Sequence, residues 1–176
     1  MHNIFFRLLC LILVLILIVV AIGYLLPRNY ALEAAIDIDA PANQVFPMLD
    51  ELPNWQRWST FSEERIESLK ITYGSKRTGE GASQTWQDAR GSGKLWITKS
   101  VANELIEYDL NFGEFPTMKS RIELVPVDNR TQVHWTSNGR LPSGAFYGYF
   151  ALLFPGQMNF EYQQSLLRMK QAIEQN

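Results

Sequence analysis

Hydrophobic and polar positions along the chain fall into three regimes. Residues 4–26 read IFFRLLCLILVLILIVVAIGYLL, an apolar run whose only charge is Arg7. Crossing the hydrocarbon core of a bilayer takes about 20 apolar residues in a helix, and in water such a helix would expose apolar surface on every side. The run therefore predicts a transmembrane anchor. It is longer than the apolar stretch of a cleaved signal peptide, about 7–15 residues, although Ala21-Ile22-Gly23 offers the small residues a signal peptidase cuts, so that alternative stays open. A lipoprotein signal would put its cysteine after the run, whereas Cys10 lies near its start.

From Ala34 the pattern changes to a period of two. Ala34, Ile36 and Ile38 alternate with Ala35, Asp37 and Asp39, which predicts a strand with one buried face. Ala40-Pro41 ends it, and Pro41 opens a helix with Val45, Phe46 and Leu49 on its apolar side, since proline suits a first helical turn. Asn54-Trp55-Gln56-Arg57-Trp58 predicts a second short helix with both indoles on one face. Strands then follow at 69–73, 82–87, 94–101, 105–112, 118–127 and 131–137, separated by glycine-bearing or Asx turns such as Gly79-Glu80-Gly81, Gly91-Ser92-Gly93, Asn103-Glu104 and Asp128-Asn129. Short turns between close strands predict an antiparallel meander rather than βαβ units.

The third regime is helical. Met158, Tyr162, Leu166, Met169 and Ile173 recur at spacings of three and four, with Lys170 placed favourably for the helix dipole. Before it, residues 144–154 form an aromatic strip closed by Pro155-Gly156, which reads as a short helix or as a lid segment. The predicted class is α+β: a curved antiparallel sheet of about seven strands wrapped around one long C-terminal helix, with a space between them. Residues 1–28 form the anchor and residues 29–176 one domain of ordinary size.

Charge narrows the partners. Residues 29–176 carry 14 Lys and Arg against 18 Asp and Glu, a formal charge of −4. Nucleic acid is not expected as a partner, because phosphate binding needs a basic face. The domain has no cysteine, which excludes disulfides and cysteine-ligated zinc. Arg7 precedes the apolar run and Arg28 follows it, so the positive-inside rule leans only weakly toward a cytoplasmic N-terminus and a domain on the outer face of a bacterial inner membrane.

Candidate chemistry is sparse. His134 alternates with Val133 and Trp135, so it is expected on the outer face, and no acid or nucleophile is predicted beside it. Glu80, Asp88 and Arg90 fall at turns, while Glu107 and Asp109 point outward opposite Tyr108 and Leu110. The glycine turns do not lead from strand into helix, which argues against a nucleotide site. No cofactor and no metal is expected. The aromatics are more telling. Most of Trp55, Trp58, Trp86, Trp96 and Trp135 are expected in the core. Trp86, Tyr108, Phe112, Trp135, Phe150 and Phe154 are candidates for lining an apolar cavity, with Gln84, Ser120 and Ser137 as its placed polar groups.

The order of elements resembles the helix-grip fold of the START and Bet v 1 superfamily (SRPBCC), in particular its bacterial polyketide cyclase/dehydrase and lipid-transport group. The resemblance runs from about Ala34 to Lys170. It rests on Ile36-Asp37-Ile38-Asp39-Ala40-Pro41 with Val45-Phe46, on Leu52-Pro53-Asn54-Trp55-Gln56-Arg57-Trp58-Ser59, and on Gly79-Glu80-Gly81-Ala82 with Trp86. Thr131-Gln132-Val133-His134-Trp135 and Phe160-Glu161 with Leu166, Leu167 and Lys170 complete it. These pieces specify a scaffold more than a reaction. They imply a membrane-anchored domain that holds a lipid or other hydrophobic small molecule. Two other readings stay open: an enzyme of the cyclase, dehydrase or hydrolase type, and an envelope protein-interaction or stress-response module. The strip at 146–154 is either a gate over the cavity or a patch that dips into lipid.

Overall fold

A computed structural model describes residues 2–175. Helix α1 (His2–Leu25) meets α4 near its C-terminal end and is otherwise exposed, and from Ile4 onward Gly23 is its only buried residue. Its stretch Ile4–Leu25 is long and apolar enough to cross a membrane. After three intervening residues β1 (Asn29–Ile38) begins. It starts earlier than its alternation suggests because Asn29 pairs with Arg140, and the antiparallel register then runs unbroken to Ile38 opposite Thr131.

Seven strands make one antiparallel, curved sheet: β1, β2 (Lys70–Tyr73), β3 (Ser83–Asp88), β4 (Gly91–Val101), β5 (Leu105–Asn111), β6 (Met118–Val127) and β7 (Arg130–Arg140), in the order β1-β7-β6-β5-β4-β3-β2. Two of its turns use left-handed backbone at short polar residues, Asn103 (φ 63°) and Asp128 (φ 56°), which tolerate that conformation better than other side chains. The alternation sorts the faces as expected. Leu32, Ala34 and Ile38, Leu95 and Ile97, Ile106 and Tyr108, Met118, Ser120, Ile122 and Leu124, and Val133, Trp135 and Ser137 are all buried.

Two layers cover the concave face. Helix α2 (Ala42–Asp50) opens after Pro41, and the short α3 (Trp55–Trp58) follows a single 3-10 turn. The two are stapled together: Trp55 Nε1 donates to the Leu49 carbonyl at 2.8 Å and Trp58 Nε1 to the Met48 carbonyl at 2.7 Å. These carbonyls lie in the last turn of α2, where no intrahelical donor is available. The indoles then cover the sheet, Trp55 edge-on to Tyr108 (5.1 Å) and Trp58 edge-on to Trp135 (5.6 Å).

Helix α4 (Ala145–Glu174) supplies the second layer and runs along β1. It is one continuous helix, so Pro155-Gly156 does not separate the aromatic strip from the terminal helix. Gly148, Ala151, Tyr162, Ser165, Leu166 and Met169 are buried along it. Lys170 Nζ donates to the Asp37 carbonyl at 2.6 Å and pairs with Glu174, whose carboxylate accepts from the Asp39 amide at 2.8 Å.

Candidate ligand site between sheet and helix

The centre of the concave face carries an uncharged polar chain. Trp135 Nε1 donates to the Tyr108 hydroxyl at 2.9 Å. The Ser120 and Ser137 hydroxyls are 2.6 Å apart, and Ser137 lies 2.8 Å from the Tyr162 hydroxyl of α4. The Trp135 and Tyr162 rings stack at 3.7 Å, almost parallel. Register explains the cluster: Tyr108 is opposite Ser120 and Ser120 opposite Ser137, so three adjacent strands present polar groups at one level.

Burial pushes Tyr108 well above the ordinary phenol range, with Tyr162 nearby adding to the effect. Tyr162 is pushed up to about 12, again by burial, against the opposing hydrogen bond from Ser137. Desolvation disfavours the phenolate. Both hydroxyls are therefore neutral near pH 7, hydrogen-bond partners rather than general bases. Gln84 is buried on the same face, and its side-chain oxygen has no hydrogen-bond partner.

Around this floor lies an aromatic rim. Trp86 is buried and meets the edge of Phe112 at 5.3 Å. Phe112 falls one residue beyond the end of β5 and is 42% exposed. Phe115, in the following loop, reaches Tyr147 on α4 at 6.1 Å. Phe150 and Phe154 are half-buried on α4, Phe150 stacked on Phe146 and tilted against Phe154, and Phe154 also meets Tyr30 of β1 at 4.8 Å. The structure thus groups Tyr108, Ser120, Trp135 and Ser137 on the floor and places Trp86, Phe112, Phe150 and Phe154 in the rim. Trp55, Trp58, Tyr162, Phe115 and Tyr147 join them. Tyr162 had a legible signal, a hydroxyl set in an apolar helical stripe. Phe115 had none beyond its glycine-proline loop.

Side chains of the sheet and of α4, among them Tyr108, Trp135, Tyr162, Leu166 and Met169, pack into one hydrophobic cluster across the space between them. Two depressions, of about 490 and 460 Å³, open at the β2–β4 end of the sheet around Lys94 and Asn111, and no residue of α4 lines either. The charged candidates and His134 lie away from this floor. Glu80 and Arg90 are exposed, at different turns. Asp88 folds back on its hairpin, accepting from the amides of Arg90 (2.8 Å) and Gly91 (3.0 Å) and from the Arg90 guanidinium, which holds its carboxyl below the usual range. Glu107 pairs with Arg121, which also holds Glu123, and His134 lies half-buried on the outer face, its Nε2 2.7 Å from the Gln132 side-chain oxygen. Among the described residues no group of three His, Cys, Asp or Glu could hold a metal ion.

Residues 30–174 match the family described as polyketide cyclase / dehydrase and lipid transport. The chain belongs to that family. Solved structures agree on the fold. A protein of unknown function from Staphylococcus aureus superposes with a TM-score of 0.65 at 14% identity, covering 84% of this chain and 96% of that one. A Mesorhizobium loti protein gives 0.63 at 13% identity, over 84% and 98%. The Aha1 dimer from Colwellia psychrerythraea gives 0.59 at 18% identity, over 82% and 96%. No curated protein matches the chain. Family and helix-grip fold together suggest binding of a hydrophobic ligand, and the family match begins where α1 has ended.

Proposed function

We propose that this chain is a single-pass membrane protein whose residues 29–176 bind a lipid or other hydrophobic small molecule between α4 and the sheet, with residues 1–28 as anchor. The observation that carries this reading is the uncharged hydrogen-bonding floor of Tyr108, Ser120, Trp135, Ser137 and Tyr162 beneath an aromatic rim. Sites for such ligands are mostly apolar with a few placed polar groups. Because side chains pack across the space, a ligand enters by parting the rim, where Phe115 meets Tyr147 edge to face at 6.1 Å. Native mass spectrometry of the protein extracted in mild detergent is expected to show a lipid-mass adduct. A bare chain, under conditions that keep lipid on a known carrier, overturns the reading.

In this reading the domain lies on the outer face of a bacterial inner membrane, the side toward which the charges flanking the apolar run lean. Gly23, inside the small-residue stretch that a signal peptidase would cut, is packed against α4, which supports an uncleaved α1. A cysteine at Lys99, exposed on β4, is expected to react with a membrane-impermeant thiol reagent on spheroplasts. Labelling only after lysis reverses the orientation. One observation favours a second reading, a protein-interaction module: side chains pack across the interior while Phe146, Leu152 and Leu153 lie exposed. An empty domain in the mass measurement would leave that reading as the stronger.

A further inference from the structure

Helix α4 and β1 run side by side, and their contacts give the depth of each turn. Lys170 reaches Asp37, Gln163 reaches Ala35, Asn159 accepts from the Glu33 amide, and Phe154 meets Tyr30. Each step back along α4 meets an earlier residue. The series continues past the start of β1. The Leu141 amide bonds the Arg28 carbonyl at 2.9 Å, and Gly148 packs on Gly23 and Leu26. Tyr149 donates its hydroxyl to the Val19 carbonyl at 2.7 Å. Val19 precedes the end of α1 by six residues, about 9 Å along a helix axis. The front of α4 therefore lies level with the last turns of α1.

The crossing is close. A Cβ on Gly148 would come 2.0 Å from the Gly23 carbonyl oxygen, and one on Gly23 would come 2.6 Å from that of Ala145. Small residues that let backbones approach are what helix contacts in lipid use. Between Arg140 and Glu161 the chain carries no charge, and on the front of α4 Phe146 (70%), Leu152 (61%) and Leu153 (75%) are exposed. Contiguous exposed apolar surface marks an interaction site, and tyrosines such as Tyr147 and Tyr149 are favoured at the membrane interface.

We propose that the first three turns of α4 are a membrane-inserted lip, docked on α1 through Gly23 and Gly148, whose exposed face is covered by lipid. This rests on α1 spanning the bilayer. Whatever packs against Val19 and Gly23 then sits at the depth of the hydrocarbon boundary, and an uncharged face there meets lipid rather than water. The lip also turns the Phe115–Tyr147 rim toward the membrane from which a hydrophobic ligand comes.

The test uses spin labels on the full chain in vesicles of phosphatidylethanolamine and phosphatidylglycerol. Cys10, the chain's single cysteine, reports on α1. In a Cys10→Ser background, Leu152→Cys and Leu153→Cys report on the lip and Lys99→Cys on the sheet. Labels at 10, 152 and 153 are expected to collide several-fold more with oxygen than with a water-soluble nickel complex, and the label at 99 the reverse. If 152 and 153 behave like 99 while 10 stays in lipid, the lip is wrong and the anchor stands. If 10 is also in water, the anchor reading falls and takes the lip with it. Spin–spin broadening between copies at 152, without oxygen preference, assigns the face to a second copy and overturns the proposal. Gly148→Leu, with the near-UV circular dichroism of the sheet unchanged, is expected to move the label at 152 toward water. No movement overturns docking through Gly23.

Discussion

Tyr162 joins the helix to the sheet through one hydroxyl and one ring face. Its substitution separates the two contributions. Tyr162→Phe keeps the ring that stacks on Trp135 and removes the hydroxyl beside Ser137, which still has Ser120 as partner. The expected loss in urea unfolding is about 1 kcal/mol, the net value of a typical hydrogen bond. A loss of several kcal/mol would show that Ser137 has no adequate partner in Ser120. The same residue sets a pH dependence. Its pKa of about 12 lies above the ordinary phenol value of 10.0, so the folded state retains a proton the unfolded state releases. The stabilising contribution is complete below pH 10 and is lost as pH rises from 10 through about 12. Each such tyrosine steepens the fall by about 1.4 kcal/mol per pH unit in that window. Tyr108 is shifted the same way. Tyr162→Phe should therefore flatten the alkaline slope by one tyrosine's share, and an unchanged slope in a pH series of unfolding curves would contradict the assignment.

At the scale of elements, Gly93 shows how closely strand and side chain fit. An added Cβ would come 2.1 Å from the Trp86 ring and 2.4 Å from the Asn111 carbonyl oxygen, and the second of these is backbone. Gly93→Ala is expected to destabilise by about 1–3 kcal/mol through overpacking, read as a lowered denaturation midpoint with Trp86 fluorescence shifted. Strand positions of this kind were legible because alternation alone fixes which face a residue occupies. That is why Trp86, Tyr108, Ser120, Trp135 and Ser137 were read onto the concave face, where the structure also places them. The rule stops where the strand stops: Phe112 lies past the last rung of β5, and nothing in a period of two says how a loop turns it. The length of α4 was also beyond the pattern. Pro155 lacks the amide that would bond the Ala151 carbonyl, which reads as a stop. The helix continues because its front is held by tertiary contacts, Tyr149 on Val19 and Phe154 on Tyr30, that no local propensity encodes. The covering of the sheet divided for a similar reason, since Trp55 and Trp58 could be read as core but not as the lid over Tyr108 and Trp135.

For the whole molecule the question is what the proposed tether would do. Only Leu26, Pro27 and Arg28 separate α1 from β1, a span of at most about 14 Å even if extended. On the reading proposed above, that closeness keeps the rim at the surface from which its ligand comes. Inserting 20 glycine and serine residues between Pro27 and Arg28 would leave only the α1–α4 contact to hold the domain close, since the linker alone would allow a root-mean-square reach of about 25 Å. The fold should survive, because the β1–β7 register begins only at Asn29 and its partner Arg140. Ligand occupancy should fall, because a longer flexible linker lowers the effective concentration of domain at the membrane. Native mass spectrometry of the inserted and natural chains from the same membranes measures this directly. Equal occupancy would mean that the domain loads without help from its anchor. The short linker would then serve the contact between Gly23 and Gly148 rather than the capture of ligand.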